Sequence, residues 1–204
     1  MPYCLYNLAF AYNREYRNQE ALNYIEAASN VFTHYYAPLF QLNLYLMNAV
    51  ILNSLYQFEK AIKEYEASLD LVEHVVDLQT PNQMSSIYNN LAYCYECQEL
   101  FEQAIENYEK SLIFECQSLT VVNYIRTLYR HNNLEKMKQM IERFKDLSSQ
   151  KRHEEYQFEV LSFISKEKIE QLSLKALEEN TFCYFEQQKY YSLILFYAPL
   201  FAEL

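Results

Sequence analysis

The chain has 204 residues, a net charge of −10, 51% hydrophobic residues and no glycine. So acidic a balance disfavours binding to a phosphate backbone, and the missing glycine argues against the tight turns of a β-rich fold. No apolar run approaches the ~18 residues of a membrane span and no basic-then-apolar start marks a signal peptide, so a cytoplasmic chain with reduced cysteines is expected.

Helical stripes recur along the chain. Leu5-x2-Leu8-Ala9-x2-Tyr12 leads to Ala21-x3-Ile25, and Tyr45-x2-Asn48-Ala49-x2-Leu52 leads to Ala61-x3-Tyr65. Tyr88-x2-Leu91-Ala92-x2-Tyr95 then leads to Ala104-x3-Tyr108, and Val121-x2-Tyr124-Ile125-x2-Leu128 to Met137-x3-Ile141. Spacings of i, i+3, i+4 and i+7 place each set on one side of a helix. In all four copies the second helix's anchor follows the last stripe residue by nine positions, as in Tyr12/Ala21, Leu52/Ala61, Tyr95/Ala104 and Leu128/Met137. Pro38 and Pro81 suit first helical turns, and Thr80-Pro81-Asn82-Gln83 has a capping-box pattern. Without glycine, the turns between helices are expected to close on Asn and other polar residues, as at Asn132-Asn133.

The expected repeats lie near 3–35, 39–78, 81–116 and 118–148, within one domain spanning 1–204. Ser148 to Arg152 interrupts the pattern, and residues 152–204 read as degenerate helices with a faint fifth copy at Tyr184/Leu193. Tyr190 to Leu204 is apolar nearly all round, and Leu5 already lies inside a repeat. Two alternatives stay open for these ends: a segment of a longer protein, or a homodimer that covers them.

These motifs follow the pattern W-x2-L-G-x2-Y…A-x3-F, with Ala for Gly, and the chain therefore resembles a tetratricopeptide array. The resemblance implies an all-α fold, a right-handed superhelical solenoid of tetratricopeptide-like helix pairs.

No catalytic constellation stands out. His34, His74, His131 and His153 share no repeat face, and Cys94-x2-Cys97 falls inside a predicted helix without a second pair. The chain reads as a non-enzyme with no cofactor or metal. The more informative face lies opposite each core stripe, where first helices of stacked pairs line a concave surface. It carries Tyr3, Asn7, Phe10 and Arg14 in repeat one, and Asn43, Met47 and Val50 in repeat two. Repeat three places Ser86, Asn90, Tyr93 and Cys97 there, and repeat four Asn123, Arg126 and Arg130. Asn7, Asn90 and Asn123 hold equivalent places. A carboxamide offers a donor and an acceptor side by side, so a row of them clamps a peptide backbone. Residues 126–152 also carry 8 basic against 3 acidic side chains, an island suited to an acidic group or a C-terminus.

Long, Tyr-rich, Gly-free repeats, with Asn180 to Tyr191 (NTFCYFEQQKYY) near the end, are similar to the regulatory domains of bacterial peptide-pheromone receptors of the Rap, Rgg, NprR and PlcR type. That resemblance implies the ligand-sensing part of a transcriptional regulator in quorum sensing, its imported peptide held by Asn7, Asn90 and Asn123, with Asn43 less securely. Tyr93, Arg126 and Arg130 complete the expected site. Direct DNA binding would belong to a segment outside this sequence. Two alternatives stand beside it: a general protein–protein scaffold gripping an acidic tail, and a Rap-like module that binds a response regulator.

Overall fold

In a computed structural model of the chain, residues 2–32, 37–75 and 80–144 are described. They form α1 (Pro2–Arg14), α2 (Asn18–Phe32), α3 (Pro38–Ser54), α4 (Phe58–His74), α5 (Pro81–Cys97), α6 (Phe101–Phe114), α7 (Ser118–Arg130) and α8 (Leu134–Arg143). No strand occurs among the described residues. The chain divides into two compact units, Met1–Glu155 and Tyr156–Leu204. The expected helices of 152–204, the fifth copy and the apolar end lie outside the described residues.

Each helix packs on the next in sequence, and α1 also meets α3 while α5 meets α7. This is an all-α solenoid of helix pairs, each pair burying its apolar face against the next. Pro38 and Pro81 open α3 and α5, and the Thr80 hydroxyl accepts from the Gln83 N–H at 3.4 Å. At α3 and α5 the sequence thus marks the start, by a first-turn proline at both and a hydroxyl cap at α5.

The nine-residue interval has a hydrogen-bond cause. At the end of each first helix, the N–H of Arg17, Gln57, Leu100 and Asn133 bonds the carbonyl five residues back, on Tyr12, Leu52, Tyr95 and Leu128, at 2.9–3.0 Å. This is the long bond of a Schellman closure. One α-turn further on, the N–H of Ala21, Ala61, Ala104 and Met137 bonds Arg17, Gln57, Leu100 and Asn133 in turn, each at 3.0 Å. Five residues of closure plus four of helix give nine.

That closure needs one left-handed residue. Asn132 takes it at φ 55°, as polar-turn reasoning expects, but Tyr16 (61°), Tyr56 (59°) and Glu99 (59°) do so as well. Tyr16 and Tyr56 are 88% and 81% exposed, so no buried contact compensates for their strained backbone. The closure is imposed by packing on both sides, and the residue at its apex has to follow.

The anchors sit where helices cross. Ala9, Ala21, Ala49, Ala61, Ala92, Ala104, Ile125 and Met137 are completely buried. One stripe position varies with its surroundings. Leu91 and Tyr124 are buried against the preceding repeat, whereas Leu8 is 43% exposed because no described helix precedes α1.

Two outcomes follow. Ala104→Leu should overpack the α5–α6 crossing and lower stability by about 1–3 kcal/mol, read as a lower denaturant midpoint. Tyr56→Gly should relieve the left-handed strain and raise stability by up to about 1 kcal/mol, where Gly placed inside a helix would do the reverse.

Candidate peptide-binding face

The expected face is accessible at its α1 end. Tyr3 is 57% exposed and Phe10 46%, and Asn7 and Arg14 are exposed beside them. The Tyr3 ring lies against Phe40 at 4.1 Å between ring centroids, tilted by 42°. With Leu39, Pro38 and Asn43 these rings line a cavity of about 230 Å³. Asn43 is therefore placed beside an apolar recess, with its side chain half-buried.

The three equivalent asparagines meet different surroundings. Asn7 is exposed, Asn90 half-buried and Asn123 only 8% exposed. Asn123 Nδ2 donates to Asn89 Oδ1 at 3.3 Å, and Asn89 Nδ2 donates to Asn90 Oδ1 at 3.2 Å. The position faces the preceding first helix, so α7 finds Asn89 on α5 while α1 has no described helix to meet. The amides of repeats three and four thus form a connected line, and Asn123 spends a donor inside the protein. Beneath this line Tyr65 is buried with its hydroxyl lacking a hydrogen-bond partner among the described residues. Burial lifts its phenol well above the usual range, the Cys94 thiol adds to this, and the Asn90 amide opposes it.

Arg126 and Arg130 are arranged differently from expectation. They converge on Glu96, an α5 carboxylate 1% exposed. Arg126 Nε and Nη2 donate to Glu96 Oε1 and Oε2 at 3.2 and 3.0 Å, a two-pronged pair. Arg130 Nη1 donates to Oε1 at 2.8 Å, and the Tyr108 hydroxyl to Oε2 at 3.1 Å. A resident carboxylate already occupies part of the donor set expected to meet a ligand, because burying either arginine's inner edge without a partner would be costly. Two guanidiniums and one carboxylate leave the cluster at +1. Arg130, with its side chain 32% exposed, carries the accessible part of that charge and also lies over the Phe101 ring at 5.4 Å.

Burial alone would raise the Glu96 carboxyl, but Arg126 and Arg130 more than reverse this and hold it below the ordinary carboxylate value. Tyr93, 37% exposed, belongs to the same patch. Burial pushes its phenol up to about 12, with Cys97 adding to the rise and Arg126 opposing it. Cys94 donates to Asn53 Oδ1 at 3.8 Å and is pushed up to about 12 by burial, while Cys97 is also raised, so both are held as thiols.

Sequence reasoning missed Glu96 and Asn89. Their signal was present: Asn89 precedes Asn123 by 34 residues and Glu96 precedes Arg130 by 34. Each partner thus lies one residue beyond the 33-residue repeat interval that links Tyr88 to Val121 and Ala104 to Met137.

Because its folded carboxyl is depressed, Glu96 stabilises the fold above the unfolded carboxyl value, and that stability is lost as pH falls through the folded one. Glu96→Gln should cost about 3 kcal/mol at neutral pH by leaving two partly buried arginines unmatched. The same variant should flatten the loss of stability on acidification below about pH 5, measured by denaturant titration across pH.

No protein-family model matches the sequence, and no curated protein matches it either. Solved structures do. RapI in its apo form matches with a TM-score of 0.69 at 12% identity, over 92% of this chain and 58% of RapI. The chain thus spans a little over half the length of that protein. The nearly identical TPR-like repeats of a kinesin-light-chain-type protein from Podosopora anserina match at 0.62 with 16% identity, covering 89% of this chain and 98% of theirs. A single-substitution form of the same repeats gives 0.67 at 13% identity, covering 91% and 95%. At such identities the likeness is one of architecture: the chain has the fold of a TPR-like helical-repeat solenoid and resembles RapI in that respect.

Proposed function

We propose that this chain is the peptide-sensing part of a bacterial regulator, taking a short peptide across the exposed face of its first helices. The observation that carries this is the +1 cluster of Glu96, Arg126 and Arg130, lying beside exposed Tyr93 and the Asn89–Asn90–Asn123 amides. At the other end stands the apolar recess of Tyr3, Phe40 and Leu39, next to Asn43. The face therefore has an apolar end and a cationic end, with amides between them.

Such polarity suits a peptide with an apolar residue at one end and a carboxylate at the other. Four first helices at ~8–10 Å spacing span about 24–30 Å, which about 8 residues of extended chain would cross. Asn7, Asn43 and Asn90 serve the peptide backbone, Asn123 holds Asn90 in line through Asn89, and Arg130 receives the acidic group. The resemblance to pheromone receptors supports a quorum-sensing, transcription-linked role. The architectural likeness to RapI favours, as a second reading, a module that binds a response regulator.

A library of peptides of about 5–10 residues should contain members that raise the melting temperature, as a ligand of the native state must. Asn90→Ala should weaken a hit by roughly five- to a hundredfold, the cost of leaving peptide groups unpaired. Arg130→Gln should selectively weaken peptides with a free C-terminal carboxylate, relative to their amides. A hit indifferent to both substitutions would move the binding site elsewhere and favour the scaffold or response-regulator reading.

A further inference from the structure

A second cavity, of about 580 Å³, lies between α2 and α4 with α3 as its floor. Its α3 lining, Gln41, Leu44, Tyr45 and Asn48, forms one stripe. That stripe is roughly 140° around the helix from Asn43, Met47 and Val50 at 100° per residue, so this is not the peptide face.

The cavity lies beside a departure from the repeat pattern. Where α5 places Leu91 and α7 places Tyr124, both buried against the preceding second helix, α3 places the shorter Asn48. The consequence reaches a recurring carboxylate. Glu26, Glu66 and Glu109 each stand five residues after the anchors Ala21, Ala61 and Ala104. Glu66 accepts from the Tyr95 hydroxyl at 3.3 Å. Glu109 accepts from the Tyr124 hydroxyl at 2.6 Å and pairs with Lys136. Glu26 has neither kind of partner among the described residues, because α3 carries Asn48 and Leu52 at the places of the hydroxyl donors Tyr124 and Tyr95. Lys60, the counterpart of Lys136, donates instead to Gln57 at 2.8 Å.

Acceptors stand on opposite walls of the cavity. Asn48 Oδ1 is buried without a hydrogen-bond partner. Glu64, half-buried on the opposite wall, has its carboxyl raised by burial, with only the Asn48 amide opposing this. Neither Glu26 nor Glu64 forms an ion pair among the described residues. Between them, Leu44, Phe32 and the Tyr45 ring give an apolar stretch, the Tyr45 hydroxyl being already engaged by Gln41 at 3.0 Å. Acceptors at two walls and an apolar middle complement a short alkyl chain with a donor-rich cation at each end.

We propose that this cavity binds a small aliphatic diamine, one ammonium at Glu26, the other at Glu64 and the Asn48 carbonyl, with the methylenes against Leu44 and Tyr45. The site is separate from the peptide face and stands whether or not that assignment holds.

The test is melting temperature and calorimetric titration of the full chain with 1,4-diaminobutane up to ~10 mM, at constant ionic strength set by NaCl. A saturable rise is expected. Butylamine and Nα-acetyl-lysine amide, each with a single ammonium, should bind about tenfold more weakly. Glu26→Gln and Glu64→Gln should each weaken the diamine about tenfold, the loss of one charge-assisted contact. Asn48→Leu should replace the Asn48 carbonyl with methyl groups, as at Leu91 one repeat later, and abolish the response, while Asn90→Ala leaves it intact. An unchanged response in Asn48→Leu, or acetyl-lysine amide equalling the diamine, would overturn the proposal. So would a response seen only in Lys60→Met, which would make Lys60 the resident cation.

Discussion

The structure hangs on a hydrogen bond made four times, from an N–H just past each first helix to a carbonyl five residues back. It forces one left-handed residue at each apex and reverses the chain within a fixed number of atoms. The next helix therefore delivers its small or apolar anchor to the crossing point at a constant offset of nine. The stacking of repeats depends on that constancy, since a one-residue slip would rotate the anchor about 100° out of the crossing. In a chain without glycine the closure falls on Tyr16, Tyr56 and Glu99 as well as Asn132, and the backbone accepts the strain because packing before and after the turn fixes its ends.

Within this frame the interfaces between repeats are filled in chemically different ways. The third and fourth repeats join through buried polar groups: Glu96 with its two arginines and Tyr108, and the Asn89–Asn123 pair. Groups of this kind demand particular partners at particular distances and so fix the interface more narrowly than apolar packing does. They also set the electrostatics of the exposed face. Within the basic island, Arg126 and Arg130 are tied to Glu96, and of these two Arg130 keeps the more exposed guanidinium.

The first and second repeats join with less material. Asn48 stands where its counterparts are Leu91 and Tyr124, and it borders an open cavity with acceptors on opposite walls. The repeat scaffold tolerates this because Ala49, Ile51 and Leu52 still bury their side chains on the core side of α3. One turn of helix can thus support a packed seam on one side and a binding cavity on another.

The sequence by itself determined the helices and their pairing. Period and cap are local properties: Pro38, Pro81 and Thr80 start helices through their own backbone and hydroxyl chemistry, and the nine-residue interval is a short-range hydrogen-bond pattern. The buried anchors followed from the same stripes. The candidate face was legible as a set of residues on one side of each first helix, with Asn43 beside a recess that local pattern does not reveal. Tertiary structure alone decided what those residues do. Asn7, Asn90 and Asn123 share a repeat position but differ in burial, because each faces whatever precedes it in the stack. Arg126 and Arg130 carry charge in the sequence, yet how much of it remains available depends on Glu96, about 30 residues away in the chain and in contact only once α5 and α7 are packed. Periodicity fixes which side of a helix a residue occupies; the partner it meets there is set by long-range packing.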